Sequence, residues 1–310
     1  MSADALPHPR PRVALALGSG GARGLAHIGA IEVLRQHDLD IVALSGSSMG
    51  ALIGGIFATG RLDDYRDWVS ALERGDVIRL LDFAFGSLGL IKGDRIITVM
   101  REMVGEHRIE DLPISYTAVA TDIAAQREVW INRGPLFEAI RASIAIPMVF
   151  TPHRLGGREL VDGGLLAPVP VAPMRQVNAD VVIAVDVNAS TSSGLQALAA
   201  PPPAPPAEPV TDAANGNGFR ARLAALFDGM LERPAPAPAQ PGLMDLMSAS
   251  LDTMQAQLSR LQLALDPPDL VIRIPRTTCM AHEFWRAREV IEVGREAAHR
   301  ALASIGIERA

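Results

Sequence analysis

A single cysteine, Cys279, stands among the 310 residues, which excludes an internal disulfide and suits a reducing compartment, the cytoplasm. Its thiol reads as a small buried apolar side chain. Positive charge is not in excess either. The 29 Lys and Arg face 35 Asp and Glu, a net charge of −6, so nucleic acid is not an expected partner. No uninterrupted apolar run approaches the roughly 20 residues that cross a bilayer. Residues 1–12 are rich in proline and lack an apolar h-region, so they are expected to form a flexible tail and not a signal peptide. What remains is a chain 48% hydrophobic, enough to bury a substantial core.

The stretch that organises that chain is Ile41-Val-Ala-Leu-Ser-Gly-Ser-Ser-Met-Gly50. Ile41 to Leu44 is an apolar run with the length of a buried strand, and Met49 to Ala58 is an apolar segment of small residues suited to a helix pressed on a sheet. Between them Gly46-Ser-Ser-Met-Gly50 fits G-x-S-x-G with Ser48 at its centre. So tight a strand-to-helix reversal strains the backbone at Ser48 and holds its hydroxyl out at the strand's C-terminal edge. Taken alone the five-residue pattern is also that of a plain turn; the strand before it and the helix after it favour a nucleophile.

A second strand, Val13 to Leu17, runs into Gly18-Ser-Gly-Gly-Ala-Arg-Gly24 and a helix from about Ala22 to Gln36. Three chemistries use such a loop. A dinucleotide fingerprint is broken, because Arg23 occupies the third glycine position, and the acidic residue expected at the end of the next strand is missing. A phosphate loop lacks its lysine. The third reading is a nest of backbone donors for an oxyanion. Consecutive strand–loop–helix units make parallel strands through right-handed crossovers, which brings both loops to one edge of the sheet. The Gly18–Gly24 amides and the Ser48 hydroxyl then face one crevice, as acyl transfer requires. His27, on the helix behind the loop, reads as a packing or capping residue.

Further along, Leu62 to Met103 has a helical pattern with Tyr65, Trp68 and Leu72 on one face. Phe83, Phe85, Leu88, Leu90 and Ile91 fit the lip of an apolar pocket or a connection packed on the core, equally well. Strands are expected at Tyr116–Ala120, Glu128–Ile131, Val181–Asp186 and Leu270–Ile274, and helices at Pro135–Ile144 and Met280–Ile305. Asp162 closes a short apolar strand before Gly163 and Gly164, which aims one carboxylate from a sharp turn, although Asp-Gly-Gly is also an ordinary turn signal. Residues 196–242 hold ten of the 23 prolines and should not pack into the core. Within them Phe219, Leu223, Leu226, Phe227 and Met230 fall on one side of a short helix that could dock transiently on a membrane surface. Met247, Leu251, Met254, Leu258, Leu261 and Leu265 then recur at spacings of three and four, a seam two helices could share or, by preference, one that packs on the protein's own core.

Four motifs in this order, Gly18-Ser-Gly-Gly-Ala-Arg-Gly24, Gly46-Ser-Ser-Met-Gly50, Arg141-Ala-Ser-Ile-Ala-Ile-Pro147 and Asp162-Gly-Gly164, resemble those of the patatin-like phospholipase family. The compact bacterial members are most similar, given Ile91-Lys-Gly-Asp94 and Ala120-Thr-Asp122. The resemblance implies an α/β fold, a three-layer α/β/α sandwich with a mostly parallel central sheet. It implies one hydrolase domain over 13–310, interrupted by the insert at about 191–242, which is not part of the shared pattern. It implies a Ser–Asp dyad, with Ser48 as nucleophile and Asp162 as base, and an oxyanion hole at Gly20, Gly21 and Ala22 with Arg23 nearby. The substrate class would be acyl esters of phospholipids, lysophospholipids or neutral lipids, cleaved through an acyl-enzyme without calcium, any other metal or a cofactor.

Two other classes compete: a catalytically weak or silent protein of the same fold acting in regulation, and a dinucleotide-dependent oxidoreductase. Intact nucleophile, base and glycine loop argue against the first, and the broken fingerprint against the second. Of the seven histidines only His27 and His153 are placed to compete with Asp162 as base, His153 being nearest to it in sequence. A carboxylate base further implies activity that rises through an acidic titration, with no step near the histidine pKa of about 6.5.

Overall fold

Alternation along the first strand sets the asymmetry of the molecule. In β1 (Arg12–Leu17), Val13, Leu15 and Leu17 enter a large core on one face of a sheet, while Ala14 and Ala16 enter a thin one on the other. The computed structural model describes residues 10–80, 91–190 and 243–306. The N-terminal nine residues, the Phe83–Leu90 stretch and the Pro/Ala-rich segment, with the short helix expected within it, lie outside them.

The described strands form one eight-stranded mixed sheet. They are β1, β2 (Asp40–Ser47), β3 (Ser115–Asp122), β4 (Arg127–Ile131), β5 (His153–Leu155), β6 (Arg158–Asp162), β7 (Val181–Ala189) and β8 (Leu270–Pro275). Along the sheet the order is β5-β6-β3-β2-β1-β7-β8, and β4 pairs with β3. The β2–β3, β1–β2, β1–β7 and β7–β8 pairs are parallel, while β4, β5 and β6 pair antiparallel. Ser47 closes β2 and Leu17 closes β1, so both loops singled out in the sequence leave the sheet at the C-terminal edge of adjacent strands, as the crossover rule requires.

Helices cover the larger face. They are α1 (Ala26–Gln36), α2 (Met49–Ala58), α3 (Leu62–Ala71), α4 (Arg74–Arg79), α5 (Asp94–Val104) and α6 (Leu136–Ser143); α7 (Leu243–Leu265) and α8 (Ala287–Ser304) follow later in the chain. α2 is buried at every residue, which explains its unbroken run of apolar and small side chains. α1 and α8 cross in close contact: a Cβ at Gly29 would meet the Ile291 carbonyl, and one at Gly294 the Ala26 carbonyl. The thin face is closed by Val169, Val171 and Met174 against Ala14, Ala16, Ala43 and Ala184, with Leu263 of α7 packed on them.

The chain divides into two units, residues 1–191 with 252–310, and residues 192–251. Of the second only 243–251, the first turns of α7, are among the described residues. The apolar seam of that helix corrects an expectation. Met254, Leu261 and Leu265 are 63%, 56% and 76% exposed, while Ala256, Ser259 and Leu263 turn inward. Periodicity shows which residues share a face; the small side chains at 256 and 259 decide that a different face approaches the body. Two boundaries also move. The glycine loop enters a 3-10 turn (Gly21–Leu25) before α1 begins, and the C-terminal helix starts only at Ala287.

Candidate active site

Ser48 adopts φ 55° and ψ −120°, a combination open to few side chains, and it is the N-cap of α2. The reversal is possible because its neighbours are glycines. A Cβ at Gly46 would run into the Gly50 and Ala51 backbone, and one at Gly50 into the Leu17 carbonyl at the end of β1. The elbow is held from the other side by Ser143 at the end of α6. Its Oγ accepts from the Ser48 N–H at 3.0 Å and donates to the Val119 carbonyl of β3 at 2.6 Å. One hydroxyl thereby satisfies a buried amide at a strained residue and ties it to the neighbouring strand. In the sequence Ser143 is simply part of the Arg141–Pro147 motif; nothing local announces what it holds.

Asp162 ends β6, whose pairing with β3 places it opposite Ala120. Its backbone is fixed at both ends: its N–H donates to the Ala145 carbonyl at 2.9 Å, and its carbonyl accepts from Thr121 Oγ1 at 3.0 Å. Oδ1 accepts from the Gly164 N–H at 2.7 Å. Oδ2 is buried and meets no donor in hydrogen-bond geometry. Burial pushes this carboxyl up to about 6, against the opposing influence of the neighbouring Ser48 hydroxyl and the Gly164 N–H. Ser48 and Asp162 are therefore neighbours, both almost wholly buried, with one carboxylate oxygen left over. A long or misaligned contact of this kind is common in a site without substrate.

The segment after Asp162 lies across the strand ends. Ser45 and Ser47 of β2, the two hydroxyls that compete with Ser48 in the sequence, donate to the Pro170 carbonyl at 2.5 Å and the Ala167 carbonyl at 2.7 Å. Gln262 of α7 donates to the Leu166 carbonyl at 2.7 Å. Ser45 and Ser47 are thus engaged in holding the Asp-Gly-Gly turn in place.

In the glycine loop the Gly18 N–H donates to the Val185 carbonyl at 3.0 Å and the Ser19 N–H to the Pro168 carbonyl at 2.8 Å. The amides of Gly20 and Gly21 donate to no acceptor among the described residues. The Ala22 amide, expected among the oxyanion donors, is committed to the Ala281 carbonyl at 2.8 Å and leaves that set. The cause is the left-handed conformation of Gly21, φ 56°, which turns the chain toward the segment following β8, where a Cβ on Gly21 would be 3.0 Å from that of Ala281. The Arg23 side chain is buried, with Nη2 3.9 Å from Asp252 of α7 and Nε without a partner. Asn188, at the end of β7, donates from Nδ2 to the Ser19 carbonyl at 2.7 Å; it lies outside all four sequence motifs.

Both competing histidines are hydrogen-bonded to other groups. His27 is fully buried, its Nε2 donates to the Gly18 carbonyl at 2.8 Å, and burial lowers it to about 4. It is therefore a neutral prop under the loop. His153 binds Glu138 Oε2 at 3.0 Å. No group of three or more His, Cys, Asp or Glu able to hold a metal occurs among the described residues, and no described helix is long and apolar enough to cross a membrane.

A family model described as patatin-like phospholipase matches residues 15–175. An uncharacterized NTE family protein of Mycobacterium tuberculosis is 43% identical over 344 residues, covering 96% of this chain and 93% of that protein. A patatin-like phospholipase domain-containing protein of Caenorhabditis elegans is 34% identical over 59% of this chain and 14% of its own length. Lysophospholipase nte1 of Emericella nidulans is 31% identical over 56% of this chain and 12% of its own length. Since the family match takes in more than half of the chain, from β1 through the turn after Asp162, this protein belongs to the patatin-like phospholipase family and is a hydrolase of lipid esters.

Proposed function

We propose that the chain cleaves the acyl ester of a single-chain phospholipid or a related lipid by two-step transfer through Ser48, with Asp162 as base. Asp162 Oδ2 takes the Ser48 proton as Oγ attacks the acyl carbonyl. The carbonyl π electrons move to oxygen, where the Gly20 and Gly21 amides receive the charge. The tetrahedral intermediate collapses, the C–O bond to the glycerol side breaks, and the proton on Asp162 goes to the departing alkoxide. Water, deprotonated by the same carboxylate, then releases the fatty acid and restores Ser48. An alcohol leaves more easily than an amine, so a lone carboxylate suffices without an imidazole.

The observation that carries this reading is the buried, unmatched Oδ2 of Asp162 beside a serine in a strained elbow. The positive ends of two helical segments, the glycine-loop turn and α2, converge on the same edge and favour the developing anion. Lysophospholipid is preferred as substrate because the fungal relatives carry that activity in their names. The hydrolase domain on this reading is 13–310, with 191–242 inserted into it.

The sequence implied a rise of activity in the ordinary carboxylate range. With Asp162 raised to about 6, the rise moves there, into the range of a histidine, so a pH profile alone does not name the base. The deciding measurement is labelling with a fluorophosphonate probe together with turnover of a soluble short-chain ester and of a lysophospholipid. Label on Ser48, lost in Ser48→Ala, with turnover of both esters, is expected. Label elsewhere, or an unlabelled protein that turns over neither, overturns the proposal.

A further inference from the structure

We propose that Asn188 is a positioning residue of the oxyanion hole, aiming the Gly20 N–H at the reacting carbonyl through the Ser19–Gly20 peptide. The inference rests on the acyl-transfer reading above and assigns it a group that none of the four motifs contains.

The argument begins with strand order. β1 lies between β7 and β2, and the loops that follow all three leave the sheet at one edge. Ser48 stands at the end of β2, Asn188 near the end of β7, and the Ser19–Gly20 peptide between them after β1. The Asn188 amide donates to the Ser19 carbonyl at 2.7 Å, so that carbonyl points toward β7. No peptide bond among the described residues is cis. In a planar trans peptide the C=O and the next N–H point in opposite directions. A Ser19 carbonyl held toward β7 therefore turns the Gly20 N–H toward β2, the side on which Ser48 stands. That N–H has no acceptor among the described residues.

The peptide is fixed by several contacts rather than by this one alone. The Ser19 N–H is bound to the Pro168 carbonyl at 2.8 Å, on the segment that follows Asp162. The Asn188 side chain also lies against Gly20: a Cβ there would be 3.5 Å from Oδ1 and 3.6 Å from Nδ2. Asn188 is itself anchored, since its backbone N–H donates to Asp186 Oδ1 at 2.9 Å. Only an asparagine-like donor serves, because the group it faces is a carbonyl. An aspartate of the same shape would set an oxygen against an oxygen and favour rotation of the peptide away from the productive orientation.

Asn188 touches neither the nucleophile nor the base, so its removal should act on the transition state and little on ground-state binding. The test uses the full chain as Asn188→Asp, Asn188→Ala and Asn188→Gln, with folding checked by melting temperature and near-UV circular dichroism. Four quantities are measured: kcat and KM on a soluble ester, the Ki of a trifluoromethyl ketone that forms a tetrahedral adduct at Ser48, and the Ki of a non-hydrolysable ether analogue. Losing an oxyanion donor outright costs about 10²- to 10³-fold, and a misaimed one somewhat less. Expected are a fall in kcat of roughly 30- to 100-fold for Asn188→Asp, a parallel weakening of the ketone, and ether binding within about threefold of wild type. Asn188→Gln, which keeps the donor, should recover part of the loss. Folded variants with unchanged kcat overturn the inference. So does equal weakening of ketone and ether, the sign of a collapsed site, and so does loss of the fold in all three variants, which makes Asn188 a stability residue. Wild-type protein that fails the Ser48 labelling test sinks the acyl-transfer reading instead; active wild type with indifferent Asn188 variants sinks this inference alone.

Discussion

The two edges of the sheet present opposite ways of handling polar groups. At the N-terminal edge an open cleft of about 790 Å³ is lined by Arg10, Glu32, Arg35, Arg66 and Arg295 among others. Most of its charges are matched: Glu32 receives Arg66 at 2.9 Å and Arg295 at 2.8 Å, Arg66 also holds Asp63 and Asp67, Arg10 meets Asp38 at 3.0 Å, and Arg35 is exposed to water. At the C-terminal edge the polar groups are fewer, more deeply buried and left incomplete. Asp162 Oδ2, His27 Nδ1, Ser19 Oγ and Arg23 Nε all lack a hydrogen-bond partner. Water can fill a wide cleft of paired charges at little cost. Buried groups without partners raise the free energy of the fold, and they persist where a reaction uses them. The open cleft is thus the less informative end of this molecule.

The sharpest way to break that contrast is to remove the reacting groups. Ser48→Ala should lower kcat by at least about 10⁴-fold while the protein stays folded, measured on a soluble ester with circular dichroism as control. Asp162→Asn should cost on the order of 10³-fold, yet the protein should become more stable at neutral pH. The sign follows from its raised pKa of about 6 against an ordinary value of 3.8. Between those values the folded state binds more protons than the unfolded one, so wild-type stability falls as pH rises through that window and stays low above it. The asparagine variant escapes this loss. A melting temperature above that of wild type at pH 8, with the gap closing as pH falls from 6 toward 4, is expected; a lower value at pH 8 would show that Asp162 stabilises the fold as an anion.

Smaller effects test the supports. Ser143→Ala leaves the Ser48 N–H buried without its acceptor. It should lower kcat by roughly 10- to 100-fold and stability by about 1–3 kcal/mol, with KM nearly unchanged. Equal kcat in a folded variant would show that the elbow holds itself. At the opposite edge, Glu32→Gln should reduce stability by about 1–2 kcal/mol, read from denaturant midpoints, and leave kcat/KM within about twofold. A large loss of turnover there would erase the distinction between the two edges.

How much of this was legible depends on whether the deciding partner was close in sequence. The elbow was readable because glycines flank Ser48 and the strand and helix adjoin it. The common edge for the two loops followed from handedness alone. Asp162 was an ordinary turn residue until the family resemblance singled it out, since nothing local shows a carboxylate beside a serine more than a hundred positions away. The Ala22 amide was misassigned for a related reason: its acceptor, Ala281, belongs to a segment that arrives after β8. The roles of Ser143, Ser45 and Ser47 were equally hidden, each being a hydroxyl whose partner lies on another element. In α7 the heptad spacing identified a shared face correctly and its direction wrongly, because direction is set by what the small residues on the other face permit. The shift at Asp162 depends on burial, which only the folded arrangement defines.

The close crossing of α1 and α8 also sets an order of assembly. Gly29 and Gly294 bring two helices into backbone contact across most of the length of the chain, and α1 is the helix whose His27 supports the glycine loop. During synthesis, β1, the loop, the elbow and Asp162 all leave the ribosome long before residue 287 does. Until then the surface of α1 that α8 covers remains open, and the Ala22 amide has no Ala281 carbonyl to anchor the loop. The candidate site, whose residues lie mostly in the first half of the chain, therefore gains the last of its supports only when the segment after β8 and the final helix have been made.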